Sequence, residues 1–556
     1  TEPILRPMPP SPSRPYLRHD EPGCTLHGNP SEKANDGERK ALKITRRHFM
    51  KMGVMAGAGL ALPLGALSVP VGRLAASAAV RSPSVEPFAV PLPIPPVAKP
   101  VDTRGGADHY EMVQRAATQE ILPGLETEIW GYDGVFPGPT IEARQDRPVV
   151  VRQWNELPVP VSVHLHGGKT PPGSDGYPTD LILPKGHDHG AHAHAAHGAS
   201  GKHAHMFKDY SYPNAHRAAT LWYHDHRMDF TGPQVYRGLA GMYLLRDDVE
   251  DSLPLPGGER EVPLVICDRT FRADGSFYYP SLDPTLQEEA GVLAHAANGM
   301  FGDTILVNGA PWPLLEVSNT KYRFRVLNAS NARSYDLALD PPPPGGRPFV
   351  QIGSDGGLLE APVPHDSIVM APAERFDVVV DFSRYPVGTE VTLKNRRGEG
   401  RTTDVMRFVV ARGEKEESSV PERLAPDLDF PGPDDVEVTR KFQFIAGVGG
   451  GMSAINMKVF DPERIDARPR LDSTEIWEVF ADPSHPFHMH LVHFKVLSRD
   501  DGPPGPYAAG WKDTVSLEGG SVRVAVRFEG WRGKYVFHCH NLEHEDMMMM
   551  ANFEVV

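Results

Sequence analysis

Cysteine is scarce. Cys24, Cys267 and Cys539 are the three in 556 residues. That argues against a disulfide framework, and Cys267, inside an apolar run, reads as a buried core thiol. Basic charge is also in deficit. Against 72 acidic residues stand 57 Lys and Arg, leaving a net charge of −15, which disfavours a nucleic acid or an anionic membrane as partner. Long amphipathic helical periods are few. Glycine (53) and proline (56) are plentiful instead, and they separate short alternating stretches such as residues 148–154. This pattern predicts an all-β chain, long enough for about three or four domains.

The N-terminal region, residues 1–80, carries Thr45-Arg46-Arg47-His48-Phe49-Met50-Lys51, an apolar stretch at 52–69, and Ala76-Ser77-Ala78. It resembles a twin-arginine export signal with an Ala-x-Ala cleavage site. The apolar stretch is shorter than the roughly 20 residues a membrane span needs. Gly53, Gly57, Gly59 and Pro63 interrupt it. The expectation is export of a folded protein to the periplasm or beyond the cell, with no membrane span in the mature form. Residues 81–106 read as an extended lead-in. Three β blocks come next, at 107–250, 259–413 and 437–556, with a charged, proline-rich linker at 414–436.

Histidine is where the sequence becomes specific. From its frequency, His-x-His should occur roughly once; it occurs seven times, three of them inside a low-complexity segment. The other four are His164/His166, His224/His226, His488/His490 and His538/His540, two in the first block and two in the last. In a strand, residues i and i+2 share a face about 6.5–7 Å apart. Such imidazoles can reach one metal or two adjacent ones. Between the last two histidines lies Cys539, with His544 and Met549 downstream. A thiolate, two imidazoles and a thioether form a blue-copper electron-transfer set. His485, three residues before its pair, supplies the second imidazole. Cys539 should then face one way along its strand, and His538 and His540 the other, toward a second centre about 10 Å away by chain geometry.

These motifs together resemble the multicopper oxidases. The likeness spans nearly all of the chain after residue 107. It includes Tyr132-Asp133-Gly134-Val135-Phe136-Pro137-Gly138-Pro139-Thr140, His164-Leu165-His166-Gly167-Gly168, Leu221-Trp222-Tyr223-His224-Asp225-His226, Lys512-Asp513-Thr514-Val515 and the two C-terminal motifs. Asp268-Arg269-Thr270-Phe271 and His540-Asn541-Leu542-Glu543-His544-Glu545-Asp546 carry a closer similarity to the spore-coat laccase, bilirubin oxidase and phenoxazinone synthase group.

The resemblance implies three tandem cupredoxin-like Greek-key β-sandwiches and four copper ions. His485, Cys539, His544 and Met549 would hold the type 1 copper, with Met548 the alternative thioether. His164 and His488 would hold the type 2 copper. The type 3 pair would use His166, His224 and His540 on one ion, and His226, His490 and His538 on the other. Asp175 and Glu545 match carboxylates that carry protons to dioxygen. His493 stands one position away from a histidine of many laccases and reads as a supporting residue, not a ligand. The implied reaction is one-electron oxidation of phenols or aromatic amines beside His485, with dioxygen reduced to water. Alternatives are a cuprous or ferrous oxidase in copper tolerance, a bilirubin oxidase-like activity, a copper nitrite reductase, and a copper-free scaffold. The segment holding His187, His189, His192, His194, His197, His203 and His205 reads as a surface insertion able to bind metal weakly.

Overall fold

The computed structural model describes residues 80–185, 203–426, 428–431, 436–448, 452–482 and 485–556. The twin-arginine segment and the insertion up to residue 202 lie outside them. The last two histidines of the insertion are exposed on strand His203–His205, which pairs with Leu181–Leu183.

Strands dominate because apolar and polar residues alternate between turn-forming glycines and prolines. Strand Val149–Asn155 shows the pattern: Val149, Val151, Gln153 and Asn155 point inward, and the residues between them are half-buried. The sheets stack as three tandem β-sandwiches. The first pairs two four-stranded sheets around Tyr110, Val151, Val163, Leu221 and Tyr243. In the second, a seven-stranded and a five-stranded sheet enclose Ile266, Phe324, Val378 and Phe408. The third packs a five-stranded sheet on a four-stranded one around Trp477, Phe487, Val524 and Phe537. Among the described residues the α-helices are short: Thr231–Arg237, Asp248–Asp251 and Leu542–Asp546. No described helix is long and apolar enough to cross a membrane.

The lead-in is pinned, not free. Leu92 is buried in the middle core and donates its N–H to the Leu314 carbonyl, while Ala98 N–H donates to Thr140 of the first sandwich. In the stretch read as a linker, Leu424 is buried against Ile352, Leu359 and Val379. Cys267 is buried and unpaired.

Polar contacts tie the sandwiches together. Arg246, Glu250, Glu261, Arg323, Arg325 and Asp377 form a largely buried ion network, including Arg325 Nη2 to Glu250 Oε1 at 2.6 Å and Arg246 Nη1 to Glu261 Oε1 at 2.7 Å. It joins the first sandwich to the middle one, and breaking one of its buried pairs would leave a charge uncompensated. Between first and last, the Asp546 carboxylate accepts the N–H groups of Thr231 and Gly232 at 2.8 Å each. This caps helix Thr231–Arg237 with a residue from the opposite end of the chain.

Candidate metal centre

Strand Gly533–Cys539 is held by an aromatic core. Trp477 packs edge-on to Phe537, 4.9 Å between ring centres, a contact worth about 0.5–1.5 kcal/mol beyond its buried area. Register sets Phe487 opposite Cys539 and His488 opposite His538. Side chains alternate along the strand. Cys539 therefore points into the third sandwich, and His538 and His540 point out of it.

Cys539 Sγ lies 3.3 Å from His485 Nδ1 and 3.8 Å from His544 Nδ1, and the two ring nitrogens are 3.0 Å apart. The Asn541 N–H also approaches the sulfur, at 3.4 Å. Asn541 is the N-cap of helix Leu542–Asp546. Successive helical residues diverge by about 100°, so His544 turns toward Cys539 and Glu545 toward the histidine pairs. Met548 then adopts φ of +82°, uncommon for a side-chain-bearing residue. The reversal lets Cys539 N–H donate to the Met549 carbonyl at 3.1 Å. Met549 shares the core of Cys539, whereas Met548 packs with Tyr177, Met228 and Phe460.

On the other face, the four histidine pairs converge. His164 stands opposite His224, and His166 opposite Trp222. Three sets of ring nitrogens come within 4.8 Å of one another: His164, His166 and His488; His166, His224 and His540; His226, His490 and His538. All eight rings are buried. Trp222 stacks on His224 with centres 4.2 Å apart. His493, by contrast, joins none of these sets and donates through Nε2 to the Gly167 carbonyl at 2.8 Å.

Hydrogen bonds fix which nitrogen faces inward in five of these rings. Nδ1 of His164, His224, His488 and His538 donates to the carbonyls of Asp175, Asp225, Asp513 and Cys539, at 2.6, 2.8, 2.9 and 3.1 Å. His490 Nδ1 donates to Asp175 Oδ2 at 2.8 Å. Glu545 sits between two rings, 3.3 Å from His226 Nδ1 and 3.2 Å from His538 Nδ1, and accepts from Thr231 Oγ1 at 2.8 Å. Its environment and that of Asp175 pull in opposite directions. Burial pushes the Asp175 carboxyl well above its ordinary range, with Lys208 opposing. Burial would raise Glu545 too, but the His226 and His538 rings outweigh it and hold this carboxyl low.

The donor set fits copper. Burial drives His164, His166, His488, His490 and His540 well below the usual imidazole range, so each ring is neutral with a free lone pair. His164 Nε2, His166 Nδ1, His224 Nε2, His488 Nε2 and both nitrogens of His540 are buried without a hydrogen-bond partner. Buried polar atoms are rarely left so unless something binds them. At the other site burial pushes the Cys539 thiol up, and metal binding would displace its proton.

Comparison with known proteins agrees. Multicopper oxidase family models match residues 114–206 and 429–556. A laccase of Bacillus subtilis is 38% identical over 533 residues, covering 85% of this chain and 99% of that one. The chain belongs to the multicopper oxidases. A bilirubin oxidase of Albifimbria verrucaria is also 38% identical, over 89% of this oxidase and 85% of its own length. The crystal structure of a laccase from Pediococcus acidilactici superposes with a TM-score of 0.73 at 32% identity, covering 86% of this oxidase and 95% of that chain. The three sandwiches are thus cupredoxin-like, and this oxidase is a copper-dependent oxidoreductase that uses oxygen.

Some contributors carry no ligand signal in the sequence. Asp513 lies inside the Lys512-Asp513-Thr514 motif but reads there only as a family marker. Arg375 begins an ordinary strand, Arg375–Asp381. Asp482 proves to lie 2.7 Å from His485 Nε2.

Proposed function

We propose that this oxidase is laccase-like, taking electrons singly from phenols and aromatic amines and reducing dioxygen to water. The observation that carries the reading is the division at Cys539: its sulfur joins His485 and His544, while His538 and His540 on either side join the histidine cluster. Copper, when bound, supplies the one-electron chemistry at both places. Its ligands would be His485, Cys539, His544 and Met549 for one ion, and His164 and His488 for a second. A pair would be held by His166, His224 and His540, and by His226, His490 and His538.

The chain's own residues set the rest. His485 presents its outer nitrogen toward exposed Asp482, which supports docking of a small reductant there. Single peptide links connect Cys539 to His538 and His540, the shortest covalent route between the two sites. Oxygen reduction to water consumes four protons. Glu545, against His226 and His538, and Asp175, against His490, are suited to hold and pass them. The twin-arginine motif supports export to the periplasm or beyond, and residues 187–205 are read as a weak metal collector.

The likeness to a bilirubin oxidase supports a second reading, with a tetrapyrrole as reductant. The histidine-rich segment supports a third, with cuprous ion. Oxygen uptake by copper-loaded enzyme separates them. Turnover is expected with a phenol and an aromatic amine; turnover with cuprous ion or the tetrapyrrole alone would overturn the laccase reading. A variant lacking residues 187–205 that keeps parent copper uptake would remove the collecting role.

A further inference from the structure

The middle sandwich contributes none of the histidines at the centre, yet one of its side chains reaches it. Arg375 is fully buried and directs all five guanidinium N–H groups to acceptors. Nε donates to the Thr220 carbonyl of the first sandwich at 2.9 Å. Nη1 donates to the Ala373 carbonyl at 2.9 Å and to Asp513 Oδ1 at 2.7 Å. Nη2 donates to the Asp355 carbonyl at 3.2 Å and to Asp513 Oδ2. Thr220 lies on the strand that carries Trp222 and His224, and Asp513 belongs to the third sandwich. One guanidinium therefore links all three.

Asp513 touches two rings. Its Oδ1 accepts from His166 Nε2 at 2.9 Å, and its backbone carbonyl accepts from His488 Nδ1. Thr514 Oγ1 lies 3.0 Å from His166 Nε2 and 3.2 Å from His488 Nδ1. The two rings stack 3.7 Å apart at 15°. His166 differs from His164, His224, His488 and His538. Those are held through Nδ1 by a backbone carbonyl, whereas His166 is held through Nε2 by a side-chain carboxylate and turns Nδ1 inward. A carboxylate can be rotated or lost in a way a peptide carbonyl cannot, so this ring depends on whatever orients Asp513. A lysine would supply charge but not the planar fork that meets two carboxylate oxygens and three carbonyls at once.

We propose that Arg375 is a positioning residue: through the Asp513 carboxylate it sets which nitrogen of His166 faces inward and how that ring is oriented, making metal binding by the histidine cluster depend on the docked middle sandwich. The proposal rests on His166 and His488 being copper ligands. Supporting groups of this kind typically change metal affinity ten- to a hundredfold.

The test uses the full chain, loaded with copper, as Arg375→Lys and Asp513→Asn. Both should lose copper from the histidine cluster to a competing chelator at least about tenfold more readily than the parent. Their electron paramagnetic resonance signal from histidine-held copper should change, while the blue absorption of the Cys539 site persists. Arg246→Lys, in the remote ion network, should lower the unfolding temperature without altering cluster copper, which separates positioning from mere interface loss. Should Arg375→Lys fail to fold, Thr514→Val carries the same test by removing one hydroxyl, with a smaller loss in the same direction. Parent-like cluster copper and signal in the folded variants would overturn the proposal. A parent enzyme that binds copper at Cys539 alone would instead overturn the assignment of the cluster ligands, and the proposal with it.

Discussion

The Asp482 carboxylate lies 2.7 Å from His485 Nε2, on the far side of the ring from the Cys539 sulfur, and its side chain is 46% exposed. An acceptor at Nε2 makes the imidazole a stronger donor through Nδ1 and so favours the more highly charged, oxidised metal. Asp482→Ala should therefore raise the reduction potential of the Cys539 site. Solvent screening limits the effect to roughly 0.5–1 kcal/mol, or about 20–40 mV for one electron. Redox titration of the blue absorption measures it. An unchanged or lower potential would show that this contact does not reach the metal.

Replacing Cys539 by serine tests the junction itself. A hydroxyl has neither the acidity nor the softness of a thiol as a copper ligand. Cys539→Ser should lose the blue absorption and nearly all phenol turnover, while the eight histidines, which face away from the sulfur, keep their copper. Copper analysis and oxygen uptake on one sample decide it. Parent-rate turnover in a colourless variant would sink the division of labour read from this strand.

Periodicity is what made the centre legible in the sequence. His-x-His in a strand puts both rings on one face, and His-Cys-His puts the sulfur on the other; no tertiary knowledge is needed for either. Three all-β blocks were legible for the same reason. Arg375 and Asp513 are a different case. They are 138 residues apart, and Arg375 reads as the polar start of a strand until packing buries it. Asp482 was hidden for a simpler reason: no spacing rule marks a lone carboxylate three residues before His485 as its partner. Glu545 was legible only through resemblance. Its contact with Thr231 spans 314 residues, and no spacing rule predicts that.

Glu545 offers a cleaner test of proton supply than Asp175, whose backbone and side chain both hold histidines. Glu545→Gln keeps an oxygen for Thr231 but removes the carboxylate beside His226 and His538. Steady-state turnover should fall by about a hundredfold or more, the usual contribution of a positioned acid–base group. Anaerobic reduction of the blue site by substrate should keep its parent rate, because that step needs no proton at Glu545. Equal slowing of both steps, by stopped-flow absorption, would point to a disturbed copper site instead.

His493 lies outside the histidine cluster and should shape acid stability on its own. Burial pulls its pKa from the ordinary 6.5 down to about 4, with Asp513 opposing. The folded-state value is below the unfolded one. Between those values the unfolded chain binds the extra proton, so the stability present above pH 6.5 is lost as pH falls toward 4. From pH 7 to pH 5 this ring should cost on the order of 2 kcal/mol. His493→Gln keeps a donor for the Gly167 carbonyl and cannot titrate. In metal-free protein the histidines away from His493 cancel from the comparison; His216, whose pKa His493 helps to lower, is replaced by Gln in both parent and variant. Denaturation midpoints at pH 7 and pH 5 should then show the parent losing about 2 kcal/mol more than the variant. Equal losses would mean that His493 is solvated or shifts its contacts before it can be protonated.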